Sequence, residues 1–287
     1  MFIRVIWFIW GIVILTGNTS FLSAQLLQDS SQEISSSFRY LPRESLKGQS
    51  GNIQISESEL DYAYSFKALG RLPVVLSLHT GYLELDHKDI NPIFPAHLTS
   101  VGAEVETTFP FFGKENMYWR TRLLPAFNTD DWSLRSSAFR LPVQSFLIYQ
   151  PCEFWTWITG LAVYADYDNE ILPILGLIYK PNKSLQVYLI PDDPHIDYAL
   201  NERLSLYVRA GLINREFEVD KGYLQNVVLR YREYYAGGGL RLNLNPNTQI
   251  SLGAGYSFNR SLAYIDNYGK AVIKDGSYCE FRICWEQ

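Results

Sequence analysis

Two groups of residues in this chain have the types and spacing that chemistry requires. Ser77-Leu78-His79 puts a hydroxyl and an imidazole on one face of an extended segment, as a nucleophile beside its base would be. The other face, Val74, Leu76, Leu78 and Tyr82, is the apolar one. The plainer expectation is therefore two polar residues turned toward water. The second group is electrostatic. Glu104 and Glu106 alternate on one segment, and Arg120 and Arg122 on the next. If those segments pair, the four charges form a ladder. It would serve either as cross-strand ion pairs or as a field along an aqueous passage. Arg140, Arg209, Glu280 and Arg282 occupy the polar face of later alternating segments and extend the candidate ladder.

Other polar motifs carry less. Asp166-Tyr167-Asp168-Asn169-Glu170 offers oxygen ligands of the kind Ca²⁺ takes, but it lacks the loop glycine and ligand spacing of a dedicated site. An exposed acidic loop is the expectation. Asp86, Asp89, Asp130, Asp131, Asp192, Asp193, Glu216, Glu218 and Asp220 would add an acidic rim that gathers divalent cations near lipid phosphates. Gly237-Gly238-Gly239 lacks the Lys-Ser/Thr of a phosphate loop, so a bulge or close packing is expected there. The 3 cysteines, without CxxC spacing, exclude a disulfide framework. Cys279 and Cys284 fall on opposite faces of one segment. No metal or cofactor is expected, and a net charge of −5 argues against nucleic acid as a partner.

The elements that must carry these residues read as strands. Leu60, Tyr62, Tyr64 and Phe66 alternate with Glu57, Glu59, Asp61 and Ser65. Leu204, Leu206, Val208 and Leu212 alternate with Arg203, Ser205 and Arg209. Ile250, Leu252, Ala254, Tyr256 and Phe258 alternate with Ser251, Gly253, Gly255 and Ser257. Period-two alternation is the mark of a half-wet strand. A β-sandwich alternates as well. Three further features select an all-β antiparallel transmembrane barrel. The first is a secretory leader: Arg4, then the apolar run Val5–Leu15, then Ser23-Ala24 before Gln25. That run is short for an anchor helix of about 20 residues. The second is an aromatic content of 15%, suited to interfacial girdles. The third is the aromatic final strand Phe281-Arg282-Ile283-Cys284-Trp285.

The expected organisation is a signal peptide over 1–24, a short tail over 25–34 and one barrel domain over 35–287. Turns such as 110–115 and 245–248 are short. Connections such as 42–51, 86–96, 128–136, 166–171, 191–194, 214–225 and 260–275 are longer or more charged. Barrels have short periplasmic turns and longer outer loops, which sets both termini on the periplasmic side. The strand number is 14, or 12 if Ser35–Leu41 and His195–Leu200 are not strands. The face pattern over Val227–Leu244 changes near Tyr234–Gly237, so a bulge or bend is expected there.

Three stretches together resemble a bacterial outer-membrane β-barrel family known as a domain of unknown function. They are Tyr167-Asp168-Asn169 with Leu172 to Asn182, Tyr231 to Gly239, and Gly253 to Tyr264. The resemblance spans roughly Tyr62 to Trp285. It implies the fold and an outer-membrane location, and no activity. The functional expectation is a non-enzymatic barrel that passes or binds small solutes. The alternatives are a structural or surface-interaction barrel, and then a lipid-modifying enzyme. Expected partners are outer-membrane lipid and the barrel assembly machinery, which would read the C-terminal strand.

Overall fold

A computed structural model describes residues 30–287, apart from 69–71, 91–93, 165–170, 222–223 and 266–267. The leader and the acidic motif at 166–170 lie outside the described residues. The chain runs as a meander of strands: β1 (Ser30–Ser45), β2 (Asn52–Ala68), β3 (Leu72–Lys88) and β4 (His97–Pro110). β5 (Met117–Leu123) continues into β6 (Ala126–Thr129), and β7 (Phe139–Arg140) into β8 (Val143–Cys152). Pro125 and Pro142 stand at those two breaks, where a missing N–H interrupts the ladder. β9 (Trp155–Val163), β10 (Ile171–Tyr179), β11 (Leu185–Leu189) and β12 (His195–Ala199) follow. β13 (Leu204–Lys221), β14 (Leu224–Asn245) and β15 (Thr248–Tyr264) are long. β16 (Lys270–Ile273) continues into β17 (Gly276–Glu286).

Each strand pairs antiparallel with its neighbour, and β17 pairs with β1, from Glu33↔Glu286 to Tyr40↔Cys279. The sheet closes as a barrel of fourteen staves. Both doubtful strands are present, as β1 and β12. β1 begins at Ser30, so residues 30–34 are strand and not the tail expected from the sequence. Gln32 and Gln287 exchange backbone hydrogen bonds, placing both described ends at one rim.

Leu76, Leu78, Val105, Leu161, Leu175, Leu206, Val208, Leu240 and Leu252 are exposed on the outside. A contiguous apolar girdle of this kind suits lipid. The wall is uneven in height. β11 and β12 have 5 residues each, whereas β13 has 18 and β14 has 22. A membrane strand needs about 9–11 residues, so the tall staves rise well beyond the bilayer.

Above the bilayer the tall staves close on themselves. Thr129 of β6 bridges Glu218 of β13 in parallel, and the Asp130 N–H donates to the Glu218 carbonyl at 3.1 Å. The smaller ring so formed is filled by a dry core that includes Leu41, Ile53, Ile55, Leu83, Leu85, Phe217, Val219, Leu229, Tyr231, Leu262 and Ile273. Between Ala210 and Glu218, β13 pairs with no strand on its β12 side among the described residues. The wall has an unpaired edge there, under the cap.

The cap also explains three departures from the sequence reading. First, stretches 214–225 and 260–275 looked like charged loops but are largely strand among the described residues, and 42–45 belong to β1, because outward residues above the bilayer face water. Second, the inward column of β14 keeps one parity throughout. Val227, Leu229 and Tyr231 are buried in the cap, and Gly237, Gly239 and Arg241 follow below on the same parity. The change read near Tyr234–Gly237 is a change in what fills the inside. Third, the irregularity sits next to that point, on β15. Asn259 and Arg260 together oppose Glu233, and Asn259 has φ 53°. The bulge turns Leu262 and Tyr264 inward.

Candidate functional site

The inward columns of several tall staves change from apolar to charged at about one level. On β2 the column is Ile53, Ile55, then Glu57, Glu59 and Asp61. On β1 it is Leu41, then Arg39, Ser37 and Ser35. On β13 it is Val219, Phe217, then Arg215. These charges form a plate under the cap. Arg39 pairs with Glu233 and lies 3.9 Å from Glu57. Arg215 forks across Glu57 and Glu59, at 2.5 Å each. Arg39 and Glu233 are almost wholly buried. Removing one partner of such a pair costs about 3–5 kcal/mol, because the other charge is left stranded.

Beneath the plate lies a cavity of about 340 Å³. Its lining includes Arg39, Glu57, Glu59, Asp193, Tyr207, Arg209, Arg215, Arg241, Glu280 and Arg282. Glycines make room for its tyrosines. A Cβ on Gly253 would lie 2.3 Å from the Tyr207 Oη, and one on Gly211 would lie 2.6 Å from the Tyr235 Oη. The triplet 237–239 likewise serves close packing: Gly239 stands where a Cβ would meet the Leu252 carbonyl at 2.0 Å.

The ladder residues expected from sequence separate into two clusters. Glu106 faces Arg122 in register, and Arg122 Nε donates to Glu104 at 2.7 Å and lies 3.2 Å from Glu106. Arg120 lies 3.1 Å from Glu106. Across the lumen, Arg209 lies 3.3 Å from Glu280, and the Tyr207 hydroxyl donates to the same carboxylate at 2.9 Å. The turn between β11 and β12 joins the clusters. Asp192 reaches Arg122 at 3.6 Å and Asp193 reaches Arg209 at 3.7 Å. These two aspartates therefore belong to the lumen and not to an outer rim, because their flanking strands are too short to carry the turn outward. Arg140 stands apart. Its guanidinium donates to the Ser137 and Phe139 carbonyls at the base of the β6–β7 connection. Arg282 faces the cavity, flanked in register by Ser37 and Ser251.

Ser77 and His79 do not assemble as nucleophile and base. His79 Nδ1 meets Asp61 at 2.5 Å, and it is Ser35 that donates to the other oxygen of that carboxylate, at 3.2 Å. Cys279 is exposed, Cys284 is buried, and both are free, on opposite faces as their spacing requires.

Arg39, Arg215 and Glu233 were not singled out from sequence. The signal was available in columns such as Ile53-x-Ile55-x-Glu57-x-Glu59, where apolar and charged residues share a parity.

No protein-family model matches the chain, and no curated protein matches it in sequence. Among solved structures it is similar to an outer membrane channel from Pseudomonas putida F1 (TM-score 0.49, 10% identity, 94% of this chain and 100% of the other). It is also similar to a mutant of the TodX monoaromatic hydrocarbon channel (TM-score 0.48, 10% identity, 91% of each chain). A third is the translocator domain of the autotransporter NalP from Neisseria meningitidis (TM-score 0.40, 9% identity, 90% and 88%). The barrel itself is read from its own strand pairing.

Proposed function

We propose that this protein is a non-enzymatic barrel of the bacterial outer membrane that admits and binds small solutes in the charged chamber under its cap. The observation that carries this is the cavity of about 340 Å³, lined by charged and hydroxyl side chains inside an apolar girdle. Ligand cavities range over about 300–1,000 Å³. The dry cap blocks a straight path along the axis. The unpaired edge of β13 offers solute a way in from the side. The leader expected over 1–24, insertion through the C-terminal strand β17, and contact with envelope lipid belong to the same reading. So does kinship with the uncharacterised barrel family that the sequence resembles.

The alternative is a structural or surface-interaction barrel, and the cap favours it. Solute flux separates the two. Purified protein in proteoliposomes should swell them in small polar solutes, with low single-channel conductance in planar bilayers. A variant loosened in the cap should conduct more. Absence of flux in both wild type and cap variants, for every solute tried, would leave the structural reading.

A further inference from the structure

We infer that the chamber is selective for small organic carboxylates and that Arg282 is the residue that binds them. The inference rests on the solute-binding reading above and gives it a ligand class. Five guanidiniums line the cavity. Four already have carboxylate partners: Arg39 with Glu233 and Glu57, Arg209 with Glu280 and Asp193, Arg215 with Glu57 and Glu59, and Arg241 with Asp197 at 2.7 Å. Arg282 has neither an ion pair nor a hydrogen bond among the described residues.

The lining carboxylates cannot easily answer it. Glu57, Glu59, Asp193 and Glu280 are each held by another guanidinium, and Asp192 by Arg122. Asp61 is engaged by His79 and Ser35. Glu33 feels the Arg282 charge only at a distance: it forms no ion pair with it and stands four residues along β1 from Ser37, the register neighbour of Arg282. That is about 13 Å at the rise of a strand. The residues in register with Arg282 on both sides are serines, Ser37 and Ser251, and both line the cavity. They leave space beside the guanidinium; the Ser37 hydroxyl already donates to Glu59 at 3.2 Å, and Ser251 adds a hydroxyl donor. An unpaired guanidinium is a planar fork of N–H donors that fits a carboxylate bidentately. A cation would find every lining acid already taken, and a neutral solute would leave the Arg282 charge unanswered.

The test uses the folded full-length mature barrel in detergent, titrated calorimetrically with benzoate, the neutral isostere benzamide and the cation benzylamine. Wild type should bind benzoate and reject the other two. Arg282→Gln should weaken benzoate at least about tenfold, the loss expected when a charged hydrogen-bond partner is removed. Arg282→Lys should recover part of it. Arg232→Gln, on the exposed outer side of β14, should change nothing. Removing an unpaired charge leaves no partner stranded, so the variants should fold, and heat-modifiable gel mobility checks this. Equal binding of benzoate and benzamide would overturn the inference. So would full benzoate affinity in Arg282→Gln, or no binding of benzoate, acetate or succinate by wild type. Liposome flux without carboxylate preference would sink the inference and leave the solute-barrel reading standing. Carboxylate binding without flux would uphold the inference and the binding half of that reading, and would remove passage of solute across the wall.

Discussion

Leu229→Ala is the sharpest probe of the cap. Leu229 is fully buried on β14 within the cap core, beside Phe217, Tyr231 and Leu262. Truncating a buried leucine to alanine removes its transfer free energy and leaves a cavity, at a cost of about 3–5 kcal/mol. The ring above the bilayer has its own core, separate from the lipid-facing girdle, so the loss should stay local. At about 1.4 kcal/mol per tenfold, cap amides should exchange about 140- to 3,700-fold faster. Hydrogen-exchange mass spectrometry in detergent can compare peptides covering 214–220 and 227–232 with those covering 204–209 and 238–243. The first set should lose protection and the second should keep it. Arg232→Ala, on the exposed side of the same strand, should alter neither set. Uniform loss over both sets would mean that cap and barrel are one cooperative unit. Unchanged protection would mean that the core inside the upper ring does not hold it closed.

Glu233→Gln strands Arg39 in the plate and should destabilise the barrel by about 3–5 kcal/mol, whereas replacing Arg39 and Glu233 together by methionine should recover most of it. Denaturant titration in detergent measures both, and equal losses in the two variants would refute the pairing argument. On a background without the native cysteines, single cysteines at Gln49 or Asp130 should react with an impermeant reagent on whole cells. Cysteines at Asn182 or Asn247 should react only after the outer membrane is breached, and Asp193→Cys should react slowly because its position is inside the lumen. The side-chain hydrogen bond from Lys47 holds the Asp275 carboxyl below its ordinary value, helped by the Asn259 N–H and opposed by slight burial. A lowered carboxylate stabilises the fold above its ordinary pKa of about 3.9 and loses that contribution as the pH falls through the lower folded value. Proteolysis at the 46–51 connection should therefore be flat from pH 8 to 5 and rise only below about pH 4. A rise between pH 7 and 5 would exclude the Lys47–Asp275 contact as its cause.

The strands were legible in the sequence because period-two alternation survives wherever one face meets lipid and the other water, and the apolar leader, the aromatic load and the final strand pointed to a barrel rather than a sandwich. Counting left fourteen or twelve staves open, and the two weakest segments, β1 and β12, decide for fourteen. What misled was the assumption that charged stretches are loops. Residues 214–220 and 260–264 alternate just as the membrane strands do, with the solvents exchanged: apolar residues such as Phe217 and Leu262 go in and polar ones go out. A single sequence does not say at which level that exchange occurs. The Glu104–Arg122 contact could be read from adjacent strands. The Arg209–Glu280 contact passes over two intervening staves, β14 and β15, and local spacing carries no trace of it. The inward dip of Asp192 and Asp193 depends on how short β11 and β12 are, and their apolar flanks hid that.

The bulge at Asn259 lets one polypeptide strand serve two media. β13 and β14 pass from membrane to cap by changing residue types along a constant phase. β15 instead inserts a residue, so that its even positions point to lipid below and to the cap interior above. The extra residue is a phase shifter, and it makes the upper segment of β15 modular. A segment written for the water beyond the bilayer can be spliced onto a membrane stave of either phase, provided that the junction carries the matching count of residues. Deleting Asn259 would leave both halves chemically intact and turn Leu262 and Tyr264 out into water.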